Sequence, residues 1–191
     1  AAAAPLAFGG GLSRISLDKQ GGDADGDSAS ASLSKTGRFV AFISFASDLV
    51  SNDNNGFPDV FVLDRNSGKV SRVSVDSIGL EGASSSFSPA ISANGRFVTF
   101  SSIATNLVPG DSNGFQDVFV HERKTGKTTR VSGSSSGDDG DGSASAPSIS
   151  GNGRFIAFTS GATNLVAGDT NGFNDVFVHD RKKGTTKRVS V

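Results

Sequence analysis

Apolar and polar positions alternate with period two in short runs along this chain, and the runs return at a fixed interval. Arg38-Phe39-Val40-Ala41-Phe42-Ile43-Ser44 is matched by Arg96 to Ser102 and by Arg154 to Ser160, each 58 positions after the last. A second apolar run, Asp59-Val60-Phe61-Val62, comes back as Asp117-Val118-Phe119-Val120 and Asp175-Val176-Phe177-Val178. β-Branched and aromatic residues in this pattern predict strands, and the Gly ahead of each Arg supplies a tight turn. A small-residue run such as Pro147-Ser148-Ile149-Ser150, and an Arg-Ile/Val-Ser phrase at Arg14, Arg72, Arg130 and Arg188, bring the count to four strand-like segments per interval. No segment shows helical periodicity.

The fold class is therefore all-β, with three four-stranded antiparallel repeats of 58 residues at about 17–74, 75–132 and 133–190. Each repeat is expected to form one β-propeller-type blade, within a segment 12–191 that follows a tail of residues 1–11. A β-sandwich also offers short strands, but it does not predict one register held three times.

The polar half of the repeat carries the candidate chemistry. Asp53-Asn54-Asn55-Gly56-Phe57-Pro58-Asp59 recurs at Asp111 to Asp117 and at Asp169 to Asp175. Carboxylates and amide carbonyls alternating with turn residues are the donors that Ca²⁺ loops use, so Asp53, Asn55, Asp59, Asp111, Asn113, Asp117, Asp169, Asn171 and Asp175 are the expected Ca²⁺ ligands. The competing explanation is an Asn-Gly turn whose Asp side chains bond nearby backbone N–H groups, since no single loop offers six oxygens. The Asp-rich loops at Asp23, Asp25 and Asp27 and at Asp139 and Asp141 have Glu81, Ala83 and Ser85 in the middle repeat, so they are expected to be solvated acidic loops.

Composition removes whole function classes. There is no Cys, so disulfides, thiol nucleophiles and thiolate metal sites are excluded. The aromatic residues are all Phe, which predicts ring packing rather than polar recognition, and no Trp or Tyr is present to stack a sugar, so a glycan partner is not expected. Eighteen Lys and Arg against 19 Asp and Glu leave no basic excess for nucleic acid. No apolar run reaches the roughly 18 residues of a membrane span. Gly133-Ser134-Ser135-Ser136-Gly137 matches the nucleophile-elbow spacing but lacks a following helix, and His121 and His179, the two histidines, are replaced by Leu63 in the first repeat. The expectation is a non-enzymatic protein. The repeated Arg38, Arg96, Arg154 and Arg65, Arg123, Arg181 are expected to pair with Asp or Glu across strands. The absence of Met together with Ala1-Ala2-Ala3-Ala4-Pro5-Leu6-Ala7 sets the expectation of a processed, exported chain, periplasmic or extracellular, against the alternative that these alanines are a cloning scar.

Ser92-Ala93-Asn94-Gly95-Arg96-Phe97-Val98-Thr99-Phe100, followed by Asp-Val-Phe-Val and Thr-Arg-Val-Ser, resembles the WD40-like (PD40, TolB-type) propeller repeat of bacterial periplasmic and secreted proteins. The resemblance covers all three repeats and implies the blade fold. It implies no single activity, because that repeat serves TolB, peptidase accessory domains and exported proteins of other roles.

A closed propeller needs about four blades or more, so three repeats call for something further. Two chains closing a six-bladed ring, a piece of a longer array, and an open stack all meet that need. Four Arg-Ile/Val-Ser phrases against three of every other segment leave one phrase spare, suited to strand addition onto a neighbouring chain. The functional expectation is an exported scaffold that self-associates through blade edges, as an extracellular structural or filament subunit with Ca²⁺-stabilised loops. The alternatives are a carbohydrate- or protein-binding module, and an accessory propeller fragment of a larger TolB-like or hydrolase protein.

Overall fold

Twelve strands in three antiparallel sheets make up the computed structural model, which describes residues 14–190 and contains no helix among them. Blade 1 consists of β1 (Ser28–Leu33), β2 (Phe39–Ser44), β3 (Asp59–Asp64) and β4 (Lys69–Arg72). Blade 2 is β5 (Ser86–Ile91), β6 (Phe97–Ser102), β7 (Asp117–Glu122) and β8 (Lys127–Arg130). Blade 3 is β9 (Ala144–Ile149), β10 (Phe155–Ser160), β11 (Asp175–Asp180) and β12 (Thr185–Arg188). Strands pair in chain order within each blade. The tail 1–11 and Leu12-Ser13 lie outside the described residues.

Period-two alternation puts successive side chains of β2 and β3 on opposite faces, and here both faces are buried. Ala41, Ile43, Val60 and Val62 face blade 2 and pack against its Ile91, Val98, Phe100, Leu107 and Phe119. Val118 and Val120 face blade 3 in the same way and meet Ile156, Phe158, Leu165 and Phe177. The cross-strand pairs Phe42/Phe61, Phe100/Phe119 and Phe158/Phe177 stack at 5.9, 5.8 and 5.7 Å between centroids. Leu49, Leu107 and Leu165, from the long β2–β3, β6–β7 and β10–β11 loops, are fully buried in these clusters and tether polar loops to the core.

The first strand of each blade lies where the blades converge, β5 packing against both β1 and β9. Each carries a bulge in its pairing, with Ser30, Ser88 and Ala146 at φ of +53°, +52° and +49°. A left-handed residue without glycine costs about 1 kcal/mol, and the same cost recurs in every blade at the hub. The sequence pattern contains no sign of it, because neither Ser nor Ala marks a bulge.

The Arg-Val-Ser phrase differs from the expectation that it is itself a strand. Each outer strand ends on the Arg, and the following Val closes one last ladder bond, as Val73 N–H does to Val60 O at 2.8 Å. At the other end of the chain Arg14-Ile15-Ser16 belongs to no strand, and Leu17 makes an isolated bridge with Asp23.

The arginine pairing is half as expected. Arg38 binds Asp64 through two bonds of 2.8 and 2.9 Å, Arg96 binds Glu122, and Arg154 binds Asp180. Arg123 and Arg181 instead donate to Gly95 O and Gly153 O, at 2.7 and 2.8 Å, and lie 4.4 and 4.2 Å over the Phe39 and Phe97 rings of the preceding blade. Each of those rings thereby meets two guanidiniums, the second being Arg38 or Arg96 of its own blade. Gly95 is fixed twice over: its φ is +71°, and a Cβ would stand 2.0 Å from the Phe39 ring.

Candidate functional site

Loop β2–β3 and the linker from β4 to β5 meet at one end of blade 1, and the repeated acidic motif folds up between them. Asn55 Oδ1 accepts the Phe57 N–H at 2.8 Å, closing a side-chain turn, and Gly56 follows at φ +69°. Asn113 with Phe115 and Asn171 with Phe173 repeat the bond at 2.9 Å. The turn swings the Asn amide inward, where Asn55 Nδ2 donates to Asp59 Oδ2 and to Gly82 O, both at 3.0 Å. Asp53, Asn55 and Asp59 are therefore brought together, as the spacing predicted.

They gather around a guanidinium. Arg72, at the end of β4, places Nη1 at 3.0 Å from Asp53, 3.0 Å from Asp59 and 2.9 Å from Glu81, which comes from the blade 2 side of the junction. Ser74 donates to Asp59 Oδ1 and accepts the Val60 N–H, fixing the carboxylate from behind. Blade 2 repeats the set with Arg130 among Asp111, Asp117 and Asp139, and Ser132 on Asp117. In blade 3, Arg188 meets Asp169 at 2.8 Å and Asp175 at 3.2 Å, with Ser190 on Asp175. Asn113 reaches Gly140 O of the next blade, whereas the described residues offer Asn171 only its own Asp175.

Sequence reasoning did not unite these residues. The Arg-Val-Ser pattern predicts a strand for its Arg and Ser, and Glu81 in place of Asp predicts no shared role for the linker acids. In space Asp23, Glu81 and Asp139 are equivalent, each closing an arginine from the preceding phrase. The available signal was the 58-residue recurrence of the phrase itself. Asp25 and Asp141 turn elsewhere, clamping Ser47 and Thr163 of the adjacent loop with bonds of 2.6–2.7 Å.

Burial dominates the electrostatics. It pushes the Asp53 and Asp111 carboxyls up to about 6, against the pull of Arg72 and Arg130, and raises Asp59 and Asp117 as well. Asp175 is held below the usual range, mainly by the Ser190 hydroxyl. Among the described residues the buried Arg72 Nε has no acceptor.

The Ca²⁺ expectation and this geometry predict opposite outcomes. Among the described residues no group of three or more His, Cys, Asp or Glu is placed to hold a metal ion, and the guanidinium stands between the carboxylates. A Ca²⁺ site at a hundredfold over its Kd contributes about 2.7 kcal/mol. Excess chelator would then lower the melting temperature by several degrees, whereas arginine-centred loops predict no shift in a thermal scan.

Among the described residues the two histidines each bond a threonine rather than a serine of the Gly133–Gly137 stretch. His121 Nδ1 meets Thr128 Oγ1 at 2.9 Å and His179 Nδ1 meets Thr186 Oγ1 at 3.1 Å; burial pushes His121 down to about 4. Those threonines bond the inter-blade linker at Val75 O and Gly133 O, and blade 1 replaces the pair by Leu63 and Val70. Ser134 and Ser136 bond Asp138 in the linker, and no hydroxyl there bonds a histidine among the described residues.

No protein-family model matches this chain, and no curated protein matches it. Solved structures do. Putative TolB from Agrobacterium tumefaciens aligns at TM-score 0.57 and 18% identity over 92% of this chain and 50% of its own. The β-propeller domain of the trilobed protease from Pyrococcus furiosus aligns at 0.55 and 11%, over 88% and 44%. TolB from Acinetobacter baumannii aligns at 0.52 and 16%, over 85% and 32%. At identities this low the likeness shows a TolB-like β-propeller fold alone, and this chain spans a third to a half of the length of these three structures.

Proposed function

We propose that the chain is a non-enzymatic, exported propeller scaffold that assembles by docking the open face of blade 3 against blade 1 of a second copy. One observation carries this reading: blade 3 presents, uncovered, the face that blades 1 and 2 bury. Val60 and Val118 are 0% exposed, while their equivalent Val176 is 40% exposed. Phe155, the equivalent of the doubly stacked Phe39 and Phe97, has Arg154 on one side and is 40% exposed. At the opposite end of the molecule Leu33 is 62% exposed where its equivalent Ile91 is 7% exposed. The open face of blade 3 and the exposed Leu33 edge of blade 1 therefore correspond to the two sides of one repeated junction, although Phe42, Leu49 and Phe61 on the blade 1 side are buried.

Head-to-tail contact of this type closes a ring or runs on as a filament. Export rests on the resemblance to exported propellers, and among the described residues no helix is long and apolar enough to cross a membrane. A second reading, an accessory fragment of a larger TolB-like or hydrolase propeller, is favoured by the partial coverage of the matched structures. In that case a further blade of a longer chain occupies the face.

Light scattering across a concentration series separates the two. Self-association predicts a mass of at least twice 19.4 kDa at high concentration and its loss in Val176→Asp. A constant 19.4 kDa at the highest concentration overturns self-association and leaves the fragment reading.

A further inference from the structure

Four copies of the Arg-Ile/Val-Ser phrase serve three blades, and their environments differ in a way that points to control of assembly. Val73 and Val131, in the middle copies, are 1% and 2% exposed, each wedged into the junction between its own blade and the next. Their receivers are Phe100, Ala104, Leu107 and Phe119 in blade 2, and Phe158, Ala162, Leu165 and Phe177 in blade 3. Blade 1 has the same receiver in Phe42, Ala46, Leu49 and Phe61, and Ile15 packs on it. Arg14 pairs with Asp23 as Arg72 does with Glu81 and Arg130 with Asp139, and the Leu17–Asp23 bridge repeats the Val75–Glu81 bridge. The first phrase thus occupies, on blade 1, the place that the end of a preceding blade takes on blades 2 and 3.

Among the described residues the last phrase is a donor without a receiver. Val189 is 52% exposed, and Arg188 has the two aspartates of its own blade but no third acid from a following one among the described residues. In the head-to-tail arrangement, Val189 and Arg188 of one copy seek the receiver and the Asp23 that Ile15 and Arg14 already hold in the other.

We propose that Arg14-Ile15-Ser16 is an intramolecular plug, and that Arg188-Val189-Ser190 of a second copy displaces it when the chains assemble. This rests on the self-association reading above. The incoming phrase is the better fixed of the two. Arg188 and Ser190 are already held by Asp169 and Asp175, whereas Arg14 and Asp23 form a solvent-exposed pair with side chains 54% and 83% accessible, and exposed pairs contribute little. Ile15 is only half-buried. After exchange, Arg188 gains Asp23 of the second copy and completes the four-residue cluster that Arg130 makes with Asp111, Asp117 and Asp139.

Sedimentation equilibrium on the full chain tests this with three variants. Ile15→Asp expels the plug and is expected to tighten self-association at least tenfold. Arg14→Glu, a surface change that leaves the receiver intact, is expected to tighten it severalfold, and it covers the case in which the first variant misfolds. Val189→Asp is expected to weaken association at least tenfold in either background. Unchanged or weaker association in both Ile15→Asp and Arg14→Glu, with Val189→Asp still disruptive, overturns the plug and leaves self-association standing. Monomers throughout, wild type included, overturn the self-association reading and the plug with it.

Discussion

Replacing Arg72 with methionine is expected to lower the unfolding free energy by about 3–5 kcal/mol near pH 7.5, the scale found when one partner of a buried ion cluster is removed. Methionine keeps most of the side-chain volume, so the loss reports charge rather than a cavity. Asp53, Asp59 and Glu81 are then left facing one another, with Asp59 fully buried and Asp53 nearly so. The sign of the pH dependence follows from burial, which already pushes Asp53 up to about 6 and raises Asp59. Without the guanidinium both rise further above their unfolded values. A carboxyl with a raised folded pKa destabilises fully above that pKa, and the penalty is lifted as pH falls through it toward the unfolded value near 3.8. The difference between wild type and Arg72→Met should therefore shrink markedly between pH 7.5 and pH 5. Urea melts at the two pH values measure it, and a penalty that is equal at both would show that the arginine acts by packing alone.

Truncating Phe119 to alanine is expected to cost about 3–5 kcal/mol, the range for emptying a large aromatic site in a core. Phe119 is 0% exposed, stacks on Phe100 at 5.8 Å, and belongs to the cluster that joins blades 1 and 2. Blades are joined through nearest-neighbour junctions, so the loss should concentrate there, and hydrogen exchange should quicken in β2, β3, β6 and β7 before β10 and β11. Phe155→Ala provides the internal contrast. Phe155 is 40% exposed, with Arg154 over it and no second guanidinium among the described residues, and its removal should cost less than about 1 kcal/mol in the monomer. Comparable losses for the two phenylalanines would contradict the assignment of blade 3's face as open.

The strands and their order were legible because their cause is local. Val60-Phe61-Val62 and Phe39 to Ile43 alternate across a pleat, Gly37, Gly95 and Gly153 turn the chain, and the 58-residue interval makes each reading three times over. The gathering of Asp53, Asn55 and Asp59 was equally local, produced by an Asn side-chain turn and a Gly. What meets those carboxylates was not, because Arg72 lies 13 residues beyond Asp59 and Glu81 comes across the blade junction. The roles of phenylalanine also divided beyond what composition suggests. Phe42 and Phe61 fill the core, Phe39 and Phe97 take arginines from two blades, and Phe57, Phe115 and Phe173 stand exposed at the loop end.

By itself, then, the sequence determined the period, the all-β class, the strands within each blade and the place of the acidic turns, since hydrophobic periodicity and turn chemistry act over a few residues. Only the tertiary structure decided that an arginine fills the acidic turn of each blade, that Ser30, Ser88 and Ala146 accept left-handed backbone at the hub, and that blade 3 keeps open the face its predecessors bury. Those outcomes depend on which blade stands beside which, and a side chain 58 residues away in the chain becomes a neighbour only when the sheets stack.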